Sequence, residues 1–428
     1  MGRLPFLKCT ATAMCAAMSL LFGLHSTAQE GIPIAYTAPH IASVRLHPLG
    51  APLGGPFMEL DGDAPLVLRF DDLSSDWPEY AWTLMHCAAD WSAPSDLREW
   101  DYLDGWAPDR LDDVESSFGG SVSFSHVKTT IPSEGLRPTR SGNQLLIVHR
   151  EGDPEDIVLM RRLVIFEQLA DLEVTPKRPF AADKVATHQR LEVDVNLPPG
   201  HRWSAPMQDV RLTVLRNVDW TQSATRVAPS LVRGNAVRFD QDERLTFAGS
   251  DRWRSVDLKS LSYLAPGIEA IRESRSGDGP LWKMELSTDA SRRFRLQTSR
   301  PDLNGAFTIH NDRFDDVELT SDYLEVTFSL EHRDFGDAPD VYVFGALTGW
   351  SIDPDFRMLY DQETQEYRLT RWMKQGWYDY RYVTVGAGTR HAFEADHAGT
   401  PNRYTVFVHA PAPDGTDRII GMESRVLN

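Results

Sequence analysis

The stretch Tyr323-Leu324-Glu325-Val326-Thr327-Phe328-Ser329-Leu330 alternates apolar and polar side chains from Leu324 onward. A period of two puts the two sets on opposite faces of a strand, whereas a helix with its longer period would mix them. The run leads to Val341–Phe344, and Tyr367–Leu369, Trp377–Val385 and Tyr404–His409 follow with Asp- and Arg-bearing loops between them. A sandwich module of about 100 residues is therefore expected over 321–428.

The same reading extends upstream. Ser43–Leu46, Pro65–Phe70, Tyr80–Met85, Val122–Val127, Gln144–His149 and Leu159–Glu167 are alternating or continuous β-type runs. Gly54-Gly55-Pro56, Asp61-Gly62-Asp63, Gly119-Gly120, Ser141-Gly142-Asn143 and Gly152-Asp153-Pro154 supply turn chemistry among them. An all-β domain over 29–170 follows, with a boundary near Leu169–Asp171. A second series, from Leu172–Thr175 through His188–Asn196, Gln208–Leu215, Ala236–Phe239, Trp282–Leu286, Phe294–Gln297 and Ala306–Ile309, makes 171–320 one large or two small sandwiches. Within it, Leu258–Leu264 reads equally as a short helix or a strand. The fold class is all-β, built of several tandem immunoglobulin-like sandwiches, and no fixed repeat of solenoid type is present.

At the N-terminus, Arg3 and Lys8 precede an apolar run ending at Leu21–Leu24, and Ser26 and Ala28 suit cleavage after Ala28, so 1–28 is expected to be an export signal. No later stretch is apolar for the roughly 18 residues that a membrane helix needs. Charged loops of irregular length suit a sandwich better than an outer-membrane barrel. With 44 basic against 62 acidic residues and a formal charge of -18, the chain is a poor match for nucleic-acid backbones or anionic lipid. Cys9 and Cys15 leave with the signal, so Cys87 has no partner for an internal disulfide.

Chemistry-bearing patterns are sparse. His86 and Cys87 are adjacent and so face opposite sides of a strand, against a thiol–imidazole pair and in favour of a buried thiol; His86 has the spacing to hydrogen-bond Asp90 and fix the loop carrying Trp91. The carboxylates Asp71, Asp72, Asp90, Asp101, Asp104, Asp109, Asp112 and Asp113 crowd the first domain, but they lack the spacing of a calcium loop, and turn capping and solvated faces explain them more simply. The 13 histidines form no zinc-like cluster, and there is no nucleophile elbow, phosphate loop or dinucleotide fingerprint. No enzyme, cofactor or metal is expected.

Aromatic residues at turns are the distinctive feature. Trp91, Trp100, Tyr102 and Trp106 are candidates to anchor a partner, with internal loop packing as the competing reading. Trp350, Trp377 and Tyr378 are candidates for a glycan platform or an interface. Asp71, Asp72, His86, Cys87 and Asp90 read as a structural motif.

At these residues the chain resembles a known family. Arg69-Phe70-Asp71-Asp72-Leu73, His86-Cys87-Ala88-Ala89-Asp90-Trp91, Asp101-Tyr102-Leu103-Asp104-Gly105, Arg216-Asn217-Val218-Asp219-Trp220, Val341 through Trp350, and Lys374-Gln375-Gly376-Trp377-Tyr378-Asp379-Tyr380 are similar in order to the plug proteins of the type IX secretion system of Bacteroidota, from about residue 40 to 425. Trp377 stands where that family commonly has Tyr. The resemblance implies a noncatalytic periplasmic protein that docks on the inner end of the large outer-membrane translocon barrel and seals it when no substrate-loaded shuttle is engaged, without inserting in the membrane. The last module also resembles early-set, glycogen-binding-like sandwiches through Gly345–Trp350 and Tyr378–Tyr380, which implies glycan binding in the periplasm or at the cell surface as the alternative function.

Overall fold

The computed structural model describes residues 31–74, 77–197, 205–276, 279–295, 301–332, 339–386 and 392–427; the expected signal at 1–28 lies outside the described residues. Tyr323–Glu331 is a strand, and Leu324, Val326, Phe328 and Leu330 are fully buried on one face, as the alternation requires. It pairs antiparallel with Glu366–Lys374 on one side and parallel with Gly279–Leu286 on the other. Ile268–Ser276 and Leu359–Asp361 complete this five-stranded sheet. Against it packs a four-stranded sheet of Arg254–Asp257, Gly376–Val385, Phe307–Ile309 and Asp340–Phe344, with Val341, Val343, Tyr380 and Tyr382 entering the same core.

The expected cut at 320/321 therefore falls inside one sandwich, since strands from 254–286 close the sheets begun by 323–385. Conversely, Asn402–Pro411 and Asp417–Leu427 leave that module. Arg211–Arg216 pairs with Asn402–Pro411 on one edge and with Asp219–Val227 on the other, and Asn402–Pro411 pairs onward with Asp417–Leu427. This four-stranded sheet faces a five-stranded one of Asp171–Lys177, His188–Asn196, Ala236–Phe239, Leu231–Arg233 and Thr246–Ala248. Leu212, Val214, Val406 and Val408 meet Val193, Val195 and Val237 in its core, each such burial stabilising by about 1.5–3 kcal/mol before entropy is counted. The middle sandwich is thus discontinuous, and the third is inserted into it. The physical reason is the burial of Arg211–Arg216 on both faces and in mid-sheet, which demands a partner strand on each side; the second comes from the far end of the chain.

The first sandwich is contiguous. A six-stranded sheet containing Tyr80–Cys87, Gly142–Arg150 and Ile157–Phe166 packs on a four-stranded sheet of Ile41–Pro48, Leu66–Asp72, Ser125–Ile131 and Asp113–Ser116. Gly142–Arg150 is buried along almost its whole length because both faces are covered. Leu146 and Val148 point into the first core. Leu145 and Ile147 point the other way, into a cluster with Leu215, Val218, Trp220, Phe407 and Ile419 of the middle sandwich. Leu258–Leu264 is neither helix nor strand but an irregular loop, and Phe294 sits in a turn, while Gln297 lies outside the described residues. Among the described residues no helix is long and apolar enough to cross a membrane.

Candidate interaction surface and the junctions that hold it

The four aromatic candidates of the first sandwich divide two and two. Trp91 is interior at 3% exposure. Its backbone has φ 60°, its ring meets Trp220 of the middle sandwich edge-on at 5.1 Å, and the Arg162 guanidinium lies 4.5 Å over it. Tyr102 is also buried, and its hydroxyl donates to the Leu84 carbonyl at 3.2 Å. Trp100 and Trp106 are 71% and 89% exposed. The short helical turn Glu99–Tyr102 explains the split: two residues along a helix is about 200° around its axis, so a buried Tyr102 turns Trp100 to solvent. Trp106 is held from behind. Gly105 has φ +115°, a Cβ there would lie 2.0 Å from the Gly135 carbonyl oxygen, and the Trp106 N–H donates to that same oxygen at 3.1 Å. Only glycine permits this approach.

The expected His86–Asp90 bond is not formed. His86 is buried with Nδ1 2.9 Å from Ser95 Oγ and Nε2 3.4 Å from the Ser141 carbonyl, and burial lowers its pKa. Asp90 instead accepts from the Ser92 N–H and hydroxyl, because the turn closed by the Trp91 N–H on the Ala88 carbonyl carries Asp90 outward. Cys87 is fully buried, burial pushes its thiol up to about 12, and Sγ donates to the Met85 carbonyl; such a thiol is inert as a nucleophile at neutral pH.

Asp71 and Asp72, neighbours on one strand, serve different sandwiches. Asp72 stays in its own, accepting from Tyr80 at 2.8 Å and from the Ser74 N–H and hydroxyl at 2.7 Å. Asp71 faces the third sandwich. Its carboxylate meets His126 Nδ1 at 2.6 Å, and it accepts from the Tyr323 hydroxyl at 2.7 Å and Lys374 Nζ at 2.6 Å. Lys374 also donates to the Glu318 carbonyl at 2.6 Å and lies 4.0 Å from the Phe124 ring centroid. Glu318 in turn pairs with Arg45 and, at 2.8 Å, with Arg69. The Asp322 carboxylate receives the N–H groups of Ser121 and Val122. Charges buried this deeply persist only when paired and hydrogen-bonded, so the contact fixes one relative placement of the first and third sandwiches.

Of the second aromatic set, only Trp377 reaches the surface, at 37% exposure, with Nε1 donating to Asp379 at 3.2 Å. Tyr378 is buried, stacked on Phe307 with its hydroxyl on the Lys374 carbonyl. Trp350 is half-buried, edge-on to Trp253 at 5.7 Å and Phe344 at 6.1 Å. These three do not line up as one flat platform. The crowded carboxylates are spent locally: Asp101 accepts from the Arg98 N–H at a helix start and Asp109 from the Ser133 hydroxyl.

Three β-sandwiches joined by buried polar and apolar seams, with Trp100 and Trp106 held out on short turns, define a multi-domain β-sandwich protein. Residues 41–167 match the family described as type 9 secretion system plug protein 1st domain, so the chain carries a plug-protein domain over that part. A crystal structure of a hypothetical protein from Parabacteroides merdae, 23% identical, superimposes with a TM-score of 0.86 over 94% of this chain and 100% of that one; at that identity the likeness speaks for the fold. The curated proteins contain no match to this chain.

Proposed function

We propose that the chain is a noncatalytic periplasmic plug that docks on the outer-membrane translocon barrel of the type 9 secretion system and occludes its periplasmic mouth when no substrate-loaded shuttle is bound. The observation that carries this reading is the plug-domain match over 41–167. The seams support it physically: an occluding body must hold its shape against a wide lumen, and sandwiches locked to one another through Asp71, Lys374, Trp91 and Trp220 present one rigid surface. Occlusion needs shape and interface residues, not catalysis. Trp100 and Trp106 are the contact residues proposed on the first domain, since large exposed aromatics on a pinned loop anchor interfaces at low entropic cost. The test is co-purification of a tagged copy from cells in mild detergent. Recovery of a large outer-membrane barrel is expected, and recovery of none, together with intact secretion after deletion, overturns the reading.

A further inference from the structure

Where all three sandwiches meet there is a cavity of ≈ 100 Å³ whose lining includes Arg161, Arg162, Arg403, Trp220 and Trp350 and contains no Asp or Glu. In a chain of formal charge -18 this is a local inversion of sign. Its arginines are poorly compensated. Arg161 donates to the carbonyls of Tyr36 and Met160 and to the Thr37 hydroxyl, at 2.7 to 2.8 Å. Arg162 donates to the carbonyls of Pro33 and Ile32 and lies over the rings of Trp91 and Trp220. Neither has a carboxylate in hydrogen-bonding contact, and burial pulls both guanidinium pKa values down to about 10, with Asp353 the acid that Arg161 feels at longer range. The Arg403 guanidinium has no hydrogen-bond or ion-pair partner among the described residues, while its backbone is held by Asn217, whose side-chain oxygen accepts from the Arg403 N–H and whose backbone N–H donates to the Arg403 carbonyl. Arg45, also at the wall, is already committed to Glu318.

A guanidinium whose hydrogen bonds go to carbonyl dipoles, beside aromatic faces, still lacks a counter-charge, and an oxyanion is the group that supplies one, accepting two parallel N–H bonds. We infer that this junction cavity is a binding site for a carboxylate, supplied by an acidic side chain on an extended segment of a partner polypeptide. The volume sets the class: sites for whole organic ligands run to about 300–1,000 Å³, whereas this one admits the head of one side chain, with the rings of Trp220 and Trp350 beside its methylene groups. The long-range field sets the source. A free inorganic anion meets the repulsion of the net negative chain with nothing to offset it, while a carboxylate on a polypeptide, even a short one, brings contacts of its own backbone and methylene groups into the cavity. The inference does not depend on the translocon reading.

The test uses the ¹⁵N-labelled chain from residue 29 onward and follows the Trp350 indole N–H signal, assigned with Trp350→Phe. Three probes are titrated: Ac-Gly-Asp-Gly-NH2, Ac-Gly-Asn-Gly-NH2 and inorganic phosphate. The Asp peptide is expected to shift the signal saturably and the Asn peptide to bind about tenfold more weakly, as loss of one charge-assisted contact implies. Arg403→Gln should weaken the Asp peptide by about the same factor with an unchanged unfolding midpoint, and Arg403→Lys should retain part of the binding. Equal responses to the Asp and Asn peptides, or an unchanged response in a folded Arg403→Gln variant, overturn the proposal. So does saturation by phosphate with the Asp peptide silent, which makes the cavity a site for a free oxyanion. Should Arg403→Gln fail to fold, the Asp and Asn peptides on the unaltered chain still decide. Because neither arm involves the barrel, failure here leaves the co-purification result standing, and the reverse.

Discussion

Asp71 on the strand Leu66–Asp72 and Lys374 at the end of Glu366–Lys374 meet at 2.6 Å with side-chain exposures of 1% and 0%, across the seam between the first and third sandwiches. Burial pushes the Asp71 carboxyl up, but the Lys374 charge and the His126 contact outweigh it and hold the group below its ordinary value. Burial also pulls Lys374 down, with Asp71 opposing. Lys374→Met leaves Asp71 without its cation, and removing one partner of a buried pair costs about 3–5 kcal/mol. The urea midpoint of the single variant should fall accordingly, while Asp71→Asn with Lys374→Met should recover much of the loss because no lone charge remains. A double variant as unstable as Lys374→Met would show that the pair itself, rather than the orphaned carboxylate, sets the cost.

Acid should loosen the same seam. Although burial raises it, hydrogen bonding and charge from Arg45, reinforced by His126 and Lys374, bring Glu318 from 4.5 down to about 2. A carboxyl depressed in the folded state stabilises above its unfolded pKa and loses that contribution as pH falls from about 4.5 to about 2, and Asp71 acts in the same direction. Thermal melting recorded against pH should therefore decline through this window, and Glu318→Gln should start lower at neutral pH and decline less steeply. An identical slope in the variant would remove Glu318 from the account.

Asp379 works with the opposite sign. Burial raises its carboxyl from 3.8 to about 6, against the N–H groups of Leu303, Trp377 and Gly305, which favour the charged form. A raised carboxyl contributes its stability below the unfolded value and loses it as pH rises through the folded one. Between about pH 4 and 6 this term falls with rising pH. Asp379→Asn keeps an acceptor oxygen without the titration, so relative to it the unaltered chain should lose stability progressively across that interval. Parallel melting curves from pH 4 to 7 would refute the assignment.

What was legible in the sequence was what is local. The alternation in Leu324–Leu330 gives both the strand and its buried face, and the adjacency of His86 and Cys87 already separates them. What was not legible is pairing at a distance. Nothing near Arg211–Arg216 says that its second neighbour is Asn402–Pro411, and so a linear parse places the cut at 320/321 through the middle of a sandwich. The 303-residue separation of Asp71 and Lys374 hides their contact in the same way. Lys374 closes its strand at the seam, and only the position of Asp71 on the other sandwich explains its buried charge. Aromatic residues fail differently: Trp91, Trp100, Tyr102 and Trp106 are alike in composition, and a helical turn and a left-handed glycine decide which of them face outward.

That division makes the aromatic candidates separable by experiment. Trp91→Ala opens a cavity at the seam with Trp220 and removes the face on which Arg162 rests, and truncating a buried Trp costs about 3–5 kcal/mol; its unfolding midpoint should drop whatever the protein binds. Trp100→Ala and Trp106→Ala remove side chains that support nothing inside the fold, so their midpoints should stay within about 0.5 kcal/mol of the unaltered chain, as surface changes do. If these rings fill pockets on the translocon, each should cost about 2 kcal/mol or more of binding, and the doubly substituted chain should be lost from the detergent co-purification while remaining folded and exported. Gly105→Ala gives an independent check, because it displaces the Trp106 loop from Gly135 without deleting the ring. Capture that survives the double substitution would move the docking face off this loop, leaving Trp377 as the exposed ring among the other candidates.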